Sequence, residues 1–150
     1  MDETDRQLLR ELKADARISN VELAERVNLS PTPCLRRVKK LEQQGVIKGY
    51  EAIIDPAALG HEVSVFAFVK LGRKSSENAD AFERAVGALD AVTECSVIAG
   101  SYDYLVRIVA RSLEDYEQLL KERLANIETI ADIESMVVLK QVECGSGLPA

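Results

Sequence analysis

The sequence predicts an α+β protein of two domains, one helical over residues 1–60 and one built on a β-sheet over residues 61–150. Three observations support this prediction. Before residue 45, helix-capping patterns precede apolar residues at helical spacing. After residue 61, runs of alternating apolar residues are separated by two further helical patterns. Between the halves, Asp55-Pro56 and Gly60 are typical of a connecting turn.

Two capping boxes predict the first two helices. Thr4-x-x-Gln7 begins the first helix, and Ser19-x-x-Glu22 begins the second, shorter one. In a capping box, two side chains satisfy backbone N–H groups that the first helical turn leaves unpaired. Asn28 predicts the end of the second helix, because asparagine tolerates the left-handed conformation common there. The apolar side chains expected to face the core are Leu8, Leu9, Leu12, Leu23, Ala24 and Val27.

A third helix is predicted to begin at Ser30 and to end at Gly45. Two prolines then lie in its first turn, where a missing backbone N–H costs little. Its buried stripe is predicted to be Leu35, Val38 and Leu41. Residues 46–54 are predicted to be extended, with a turn at Gly49, and to form a hairpin or wing. Two short helices around a tight turn, behind a leading helix, make a winged helix-turn-helix.

The charge of the whole chain argues at first against nucleic-acid binding. The formal net charge is −6 and the isoelectric point is about 4.9, whereas a DNA-binding domain is expected to be basic. Residues 1–60 nevertheless carry ten Lys or Arg against ten Asp or Glu, so all of the net acidity lies in residues 61–150. Four of five consecutive positions in the third predicted helix are basic, namely Arg36, Arg37, Lys39 and Lys40. The average charge therefore hides a basic cluster.

The third predicted helix is the strongest candidate for DNA contact. A recognition helix reads base edges in the major groove with the residues of its N-terminal half. Arginine reaches guanine edges or phosphates, lysine suits phosphates, and a helix N-terminus holds a phosphate through backbone N–H groups. The predicted DNA-binding residues are Ser19, Asn20, Ser30, Thr32, Pro33, Arg36, Arg37, Lys40 and Lys48. The alternative is a solvated basic face on an ordinary three-helix bundle.

The second half is predicted to have the order βαββαβ. Its strands are predicted over residues 62–71, 93–98, 102–110 and 133–142. Its helices are predicted to begin at Ser75 and Ser112. This order is typical of ferredoxin-like sandwiches, in which both helices cover one face of an antiparallel sheet. Phe66 and Phe68 make the other face too apolar to remain in water, which predicts a homodimer. Coverage by the helical domain of the same chain is the alternative.

Gly100, Ser101, Tyr102 and Asp103 form a second candidate site between two predicted strands. A small loop with free backbone N–H groups, one carboxylate and aromatic walls suits a small zwitterion. The amides would bind the carboxylate of the zwitterion, and Asp103 would bind its ammonium group. The alternative is a plain hairpin turn in which Gly, Ser and Asp serve only the turn geometry.

The sequence contains no constellation of residues for catalysis or metal binding. Cys34, Cys95 and Cys144 lie far apart, and the single His61 forms neither a metal site nor a triad. We therefore expect no enzyme, no cofactor and no metal. Cys34 is expected to be a buried packing residue. No signal peptide or membrane-spanning run is found, so a cytoplasmic location is expected, with a flexible tail over residues 145–150.

Four segments resemble the leucine-responsive regulator/AsnC family of transcription regulators. They are residues 18–27, residues 29–38 with Ser30-Pro31-Thr32-Pro33-Cys34, residues 41–47, and Gly100-Ser101-Tyr102-Asp103-Tyr104-Leu105. The resemblance covers nearly the whole chain in the same order. It implies a sequence-specific DNA-binding transcription regulator that responds to an amino acid or a related small metabolite. It also implies homodimers built through the ferredoxin-like domain, alone or assembled into tetramers or octamers.

The resemblance further implies where the effector binds. Many family members bind an amino acid between dimers, and by match the loop of residues 100–103 contacts it. The residues that would help to line the pocket are Leu113, Ser135, Met136, Val137 and Val138. The family's best-known loop carries an acidic residue after the glycine where this chain has Ser101, so the identity of the effector is not inherited. The alternatives are a ferredoxin-like small-molecule-binding protein or enzyme with a helical docking module, and an interaction scaffold.

Overall fold

The computed structural model describes residues 1–142. Residues 1–141 divide into two compact units, Met1–Ile53 and Ile54–Gln141. Each unit has its own cluster of buried apolar side chains. Among the residues described, no helix is long and apolar enough to cross a membrane. Cys144 and the tail predicted to be flexible, residues 145–150, lie outside the described residues.

Three helices form the first unit: α1 (Glu3–Ala14), α2 (Asn20–Arg26) and α3 (Pro31–Gln43). The predicted capping of α1 by Thr4 is wrong. Asp2 is the N-cap, because its carboxylate accepts the Asp5 N–H while the Asp5 carboxylate accepts the Asp2 N–H. Two aspartates at this position also suit the positive end of the helix dipole.

The tight turn between α2 and α3 forms as predicted. Ser19 caps α2 by accepting the Glu22 N–H, and Asn28 adopts a left-handed conformation with φ +55°. Ser30 is the N-cap of α3, and Gly45, with φ +69°, follows its last turn. The two helices and their turn therefore form a helix-turn-helix.

The buried stripe of α3 differs from the prediction by one residue. Cys34 is buried together with Val38 and Leu41, whereas Leu35 is 44% exposed. Positions 34, 38 and 41 follow the i, i+4, i+7 spacing of one helix face, and position 35 lies about 100° away from position 34. Cys34 is therefore the packing residue that was expected, and burial raises the pKa of its thiol.

Residues 46–55 contain neither helix nor strand, so the predicted hairpin is wrong. The backbone N–H groups of Val46 and Ile47 both donate to the Leu41 carbonyl, which folds this segment back onto the end of α3. Farther along, Tyr50 is 50% exposed and Ile53 is 99% exposed, so neither packs into a core. An irregular wing follows the helix-turn-helix.

The second unit has the predicted βαββαβ order. Its elements are β1 (Val63–Leu71), α4 (Ser76–Gly87), β2 (Val92–Val97), β3 (Tyr104–Ala110), α5 (Leu113–Leu119) and β4 (Ile130–Val137). A 3-10 turn, Pro56–Leu59, precedes β1, and a π-helical turn, Leu120–Leu124, extends α5. The sheet order is β2-β3-β1-β4, and all neighbouring strands are antiparallel. This is the ferredoxin-like arrangement.

The start of β3 is later than predicted. β3 begins at Tyr104 instead of Tyr102, because a bend precedes it. The Asp103 N–H donates to the Val69 carbonyl, and the Ile98 N–H donates to the Asp103 carbonyl, at 2.9 Å in both cases. Asp103 thus ties the loop to the end of β1.

β4 covers Ile130–Val137, whereas residues 133–142 were predicted. The length of the partner strand explains this difference. The last contact between β4 and β1 is made by the Val138 N–H, which donates to the Ser64 carbonyl, one residue from the beginning of β1. β1 extends only one residue farther, to Val63, so the residues after Leu139 have no residue of β1 to pair with, and Leu139 itself is 97% exposed.

The core of the second unit lies between one face of the sheet and the two helices. It includes Val65, Ala67, Val69, Phe82, Val86, Tyr104, Val106, Ile108 and Tyr116. Phe66 and Phe68 alternate with the buried residues of β1 and are only partly buried. They point to the face of the sheet opposite α4 and α5.

Candidate functional site

The exposed side of α3 presents the basic side chains predicted to bind DNA. The stripe around Val38 faces the core, so Thr32, Arg36 and Lys40 are exposed and Pro33 is partly buried. Within residues 1–142, neither Arg36 nor Lys40 has a side-chain hydrogen bond or ion pair. Both cations are therefore available to an external anion.

Arg37 differs from its neighbour because it is already paired. Its Nη1 donates to Asp2 Oδ2 at 2.7 Å and to Asp5 Oδ1 at 2.8 Å. Hydrogen bonds to these two carboxylates raise the pKa of Arg37. The pKa of Asp2 is lowered, first by the hydrogen bond from the Asp5 N–H and then by Arg37. We predicted from the sequence that Arg37 projects outward, and these two partners were missed because they lie more than thirty residues earlier in the chain.

A cavity of about 460 Å³ lies between the beginning of α1 and the exposed side of α3. It is lined by Met1, Asp2, Asp5, Arg36, Arg37 and Lys40. Three cations and two carboxylates therefore face one concave surface of the first unit.

The polar residues at the turn of the helix-turn-helix have different roles. Ser19 Oγ accepts the Glu22 N–H at 3.2 Å, and Asn20 Nδ2 donates to the Pro31 carbonyl at 2.8 Å. Asn20 therefore fixes the beginning of α2 against the beginning of α3. Ser30 makes no side-chain capping bond, so its hydroxyl is available, and Lys48 is exposed beyond α3.

The loop of residues 100–103 is organised by the Asp103 carboxylate. Its Oδ2 accepts the Leu71 N–H at 2.9 Å, and its Oδ1 is 3.1 Å from Lys74 Nζ. These contacts, with the Leu71 bond first, lower the pKa of Asp103. Lys74 and Asp103 line a cavity of about 320 Å³ whose other walls include Leu71, Val97 and Ile98. The sequence did not reveal Lys74, because it lies 29 positions before Asp103.

Tyr102 precedes β3, and its side chain contacts residues of β1 and β4. Its hydroxyl donates to Glu134 Oε2 at 2.5 Å, and its ring lies 5.7 Å from the Phe68 ring. The bond to Glu134 is the main reason that the pKa of Tyr102 is raised to about 12. Ser101 is exposed, and Gly100 has φ +157°. Through Tyr102, the loop therefore contacts β4 at Glu134.

The remaining predicted effector residues lie elsewhere in the same unit. Leu113 begins α5, after the end of β3, whereas the loop of residues 100–103 precedes the start of β3. β3 has seven residues, which separates the two ends by roughly 20 Å at about 3.4 Å per residue. Val137 pairs with Val65 and lies toward the Leu113 end. One chain therefore does not bring all of the predicted effector residues together.

The residues of β4 are also divided between the two faces of the sheet. Ser135 pairs with Ala67 and bonds to the Tyr116 hydroxyl at 2.6 Å, so it faces the helices. Met136 pairs with Phe66 and faces the open side, and Val138 follows it there by alternation. Met136 is 49% exposed.

Arg107 is a residue of the open face that the sequence did not reveal. It pairs with Phe66 across the strands, and its guanidinium carbon lies 5.9 Å from the centre of the Phe66 ring. Its Nη groups contact Glu94 and Gln141, whereas its buried Nε has no partner among the residues that the structure describes. A single arginine inside a β-strand has no local sequence signal that distinguishes packing from binding.

The structure also bears on metal binding. Among the described residues, no group of three or more His, Cys, Asp or Glu side chains is placed to hold a metal ion. Cys34 and Cys95 are free thiols.

Comparisons with known proteins agree on both units. Residues 1–48 match the family model described as winged helix-turn-helix DNA-binding, and residues 64–148 match the one described as Lrp/AsnC ligand binding domain. The chain is 41% identical over 143 residues to the leucine-responsive regulatory proteins of Escherichia coli K12 and Salmonella typhimurium. These matches cover 95% of this chain and 87% of each relative.

Solved structures with similar folds include two regulators. One is a Neisseria meningitidis transcriptional regulator in complex with L-Met, with a TM-score of 0.93 and 32% identity, over 99% of this chain and 96% of that one. The other is Escherichia coli AsnC, with a TM-score of 0.87 and 28% identity, over 96% of this chain and 95% of that one.

Proposed function

This chain belongs to the Lrp/AsnC family of ligand-responsive, DNA-binding transcription regulators, and from that premise we propose which of its residues read DNA and sense the ligand. The proposed DNA-reading residues are those predicted from the sequence, except that Arg37 is paired with Asp2 and Asp5, which leaves Arg36 and Lys40 as the principal cations. The observation that carries this proposal is the exposed, unpaired state of these two side chains on the helix that follows the turn. A recognition helix needs such side chains at its outer face.

The DNA-binding residues are proposed to divide into two classes. Thr32 and Arg36, near the beginning of α3, contact base edges, because the N-terminal half of a recognition helix enters the groove. Ser19, Ser30, Lys40 and Lys48 contact phosphates and set the position of the helix. Asn20 acts through its bond to the Pro31 carbonyl, which fixes the start of α3.

Arg36→Ala tests the proposed recognition helix. On DNA selected by the wild-type protein from a random pool, we expect a loss of about 5- to 150-fold in affinity if Arg36 reads a base. Arg84→Ala, which removes an exposed arginine from α4, is the matched control and should have little effect. Equal affinities of the two variants at fixed salt would refute the assignment of α3.

The second unit is proposed to bind an amino acid or a related small metabolite as a regulatory ligand. Backbone N–H groups of residues 100–102 would hold its carboxylate, and Asp103 would exchange Lys74 for its ammonium group. The L-Met complex of the Neisseria meningitidis relative supports an amino acid as the class of ligand. Since no catalytic constellation is found in residues 1–142, the ligand is proposed to be an effector and not a substrate.

The effector site is proposed to be completed by a second copy of the chain. The loop of residues 100–103 and Leu113 lie at opposite ends of β3, so one chain offers only part of the predicted set. Homodimers through the open sheet face around Phe66 and Met136, alone or assembled into tetramers or octamers, would bring such parts together. Effector binding would then shift the population of assemblies and the spacing of the recognition helices.

A thermal-shift screen against the twenty amino acids tests the effector proposal. A ligand that binds only the folded state raises the melting temperature. We expect at least one amino acid to do so, and Asp103→Asn to abolish the shift while Asp90→Asn, an exposed acid of the same unit, retains it. An unchanged shift in Asp103→Asn would show that the ligand binds away from this loop.

We further propose that residues 1–60 and 61–150 are the functional domains and that the protein acts in the cytoplasm.

A further inference from the structure

We propose that Asp2 and Asp5 are positioning residues that hold Arg37 away from the DNA backbone and so limit binding to non-specific DNA. This inference rests on the proposed role of α3 as the recognition helix. It concerns the part of the concave surface where the capping box at the beginning of α1 lies against the basic side of α3.

The two aspartates perform two tasks with separate oxygen atoms. Asp2 Oδ1 accepts the Asp5 N–H at 2.8 Å, and its Oδ2 is 2.7 Å from Arg37 Nη1. Asp5 Oδ2 accepts the Asp2 N–H at 3.0 Å, and its Oδ1 is 2.8 Å from the same Nη1. A capping box needs only one oxygen of each carboxylate. The other two oxygens form a clamp on Arg37, which capping does not explain.

Burial distinguishes this clamp from an ordinary surface ion pair. The Asp5 side chain is only 14% exposed and that of Arg37 is 35% exposed. In the neighbouring pair Arg10–Glu3, the two side chains are 45% and 76% exposed. Exposed pairs contribute little and are screened by salt, whereas partly buried pairs are screened less. The Asp5–Arg37 half of the clamp should therefore persist at the salt concentrations at which DNA binding occurs, whereas the Asp2 side chain is 54% exposed and its half is screened more.

The consequence for DNA follows from counting charges. Two carboxylates surround one guanidinium, so the cluster as a whole is not attractive to a phosphate. Non-specific DNA affinity depends on how many cations neutralise phosphates, because each contact releases counterions. Arg36 and Lys40 remain available on the same helix, so withholding Arg37 lowers this sequence-independent part of the affinity. Contacts to base edges by Arg36 are left intact, so a larger share of the remaining affinity comes from contacts that read the sequence.

The experiment measures binding to a random-sequence duplex as a function of salt. In Asp2→Asn/Asp5→Asn, asparagine still caps the helix but no longer attracts Arg37. We expect the slope of log K against log salt to steepen by about 0.9 per bound recognition helix. At ~0.1 M salt, one such contact corresponds to about an eightfold gain in affinity.

Two controls separate the clamp from a general change of charge. Glu3→Gln removes one negative charge from the same turn of α1 without touching Arg37, so it should change the slope less than Asp2→Asn does. In an Arg37→Gln background, the effect of the two Asn substitutions should vanish, as a double-mutant cycle requires of a direct interaction. Circular dichroism checks that α1 remains folded. Asp2→Asn alone, at a half-exposed position, keeps the test available if the double variant unfolds.

Equal effects of Asp2→Asn and Glu3→Gln, or a gain that persists without Arg37, would overturn the clamp. Arg36→Ala, measured on DNA selected by the wild-type protein, separates this result from the proposed function. If Arg36→Ala weakens binding while the aspartate variants act through charge alone, only the clamp fails. If Arg36→Ala has no effect either, α3 is not the DNA-binding helix and both proposals fail.

Discussion

Replacement of Leu8 by alanine is expected to unfold the DNA-binding unit selectively. Leu8 is fully buried, and the core around it is small, consisting of Leu8, Leu23, Ala24, Val27, Cys34 and Val38. Truncation of a buried leucine to alanine costs about 2–5 kcal/mol. At about 0.05–0.15 kcal/mol per residue, a unit of the size of Met1–Ile53 has a stability of roughly 3–8 kcal/mol. The substitution should therefore remove between about a quarter and all of this stability.

Two transitions should become visible in the full chain. Each kcal/mol corresponds to about 4–8 °C for a small domain, so the first unit should melt at least about 8 °C lower than in the wild type. Three of the four tyrosines, Tyr102, Tyr104 and Tyr116, lie in the second unit, and only Tyr50 lies in the first. Tyrosine fluorescence then reports mainly on the second unit, while loss of DNA binding on heating reports on the first.

Val46→Ala is the matched control, because Val46 is 45% exposed and its truncation leaves no cavity. It should leave both transitions nearly unchanged. A loss of less than about 1 kcal/mol in Leu8→Ala would show that the core repacks around the cavity. A simultaneous loss of both units at one temperature would show that they do not unfold as separate cores. Either result would refute the reasoning.

Three further predictions concern the second unit. Asp103→Ala should lower its melting temperature more than Asp103→Asn, because asparagine keeps an acceptor for the Leu71 N–H. Folding lowers the pKa of Asp103 below 3.8, so the wild type should be more stable than Asp103→Asn by a full margin above pH 3.8. This margin in stability should shrink as the pH falls through the pKa of the folded state, and a margin that does not change with pH would contradict the prediction. The pKa values of Tyr102 and Tyr104 are raised to about 12, so ultraviolet titration should show two tyrosines ionising well above the ordinary value of 10. Stability from these two groups should be complete below pH 10 and decline as the pH rises toward 12, and Tyr104→Phe should remove one of the two late steps. Phe66→Glu should reduce the mass measured by light scattering to that of a monomer. The monomer should stay folded, because Phe66 is only partly buried on the open face, and an unchanged mass would place the interface elsewhere.

Local signals in the sequence were sufficient for most of the elements. Ser19, Asn28 and Gly45 act through contacts within a few residues, and each is found at the predicted helix end. The alternation of β1 and β3 and the caps at Ser75 and Ser112 likewise predicted the order βαββαβ. The strand ends were less predictable, because they depend on where a partner strand begins.

The candidate sites show the same division. The basic cluster of α3 and the loop of residues 100–103 could be found from composition and spacing alone. Their chemical state could not be found in this way. Arg36 and Arg37 are adjacent and identical in type, yet Arg36 has no partner within residues 1–142 and Arg37 is held by Asp2 and Asp5.

The sequence by itself determined the two-unit α+β architecture, the helix-turn-helix and the family, since capping, periodicity and motif spacing are properties of neighbouring residues. Only the tertiary structure decided that Cys34 and not Leu35 faces the core, because the rotation of α3 is set by its packing against α1 and α2. It also decided that Asp103 holds β1 and that one chain separates the predicted effector residues. The net charge of −6 illustrates the reason. Its sum is fixed by composition, but which charges remain free to meet DNA depends on partners that are distant in the chain.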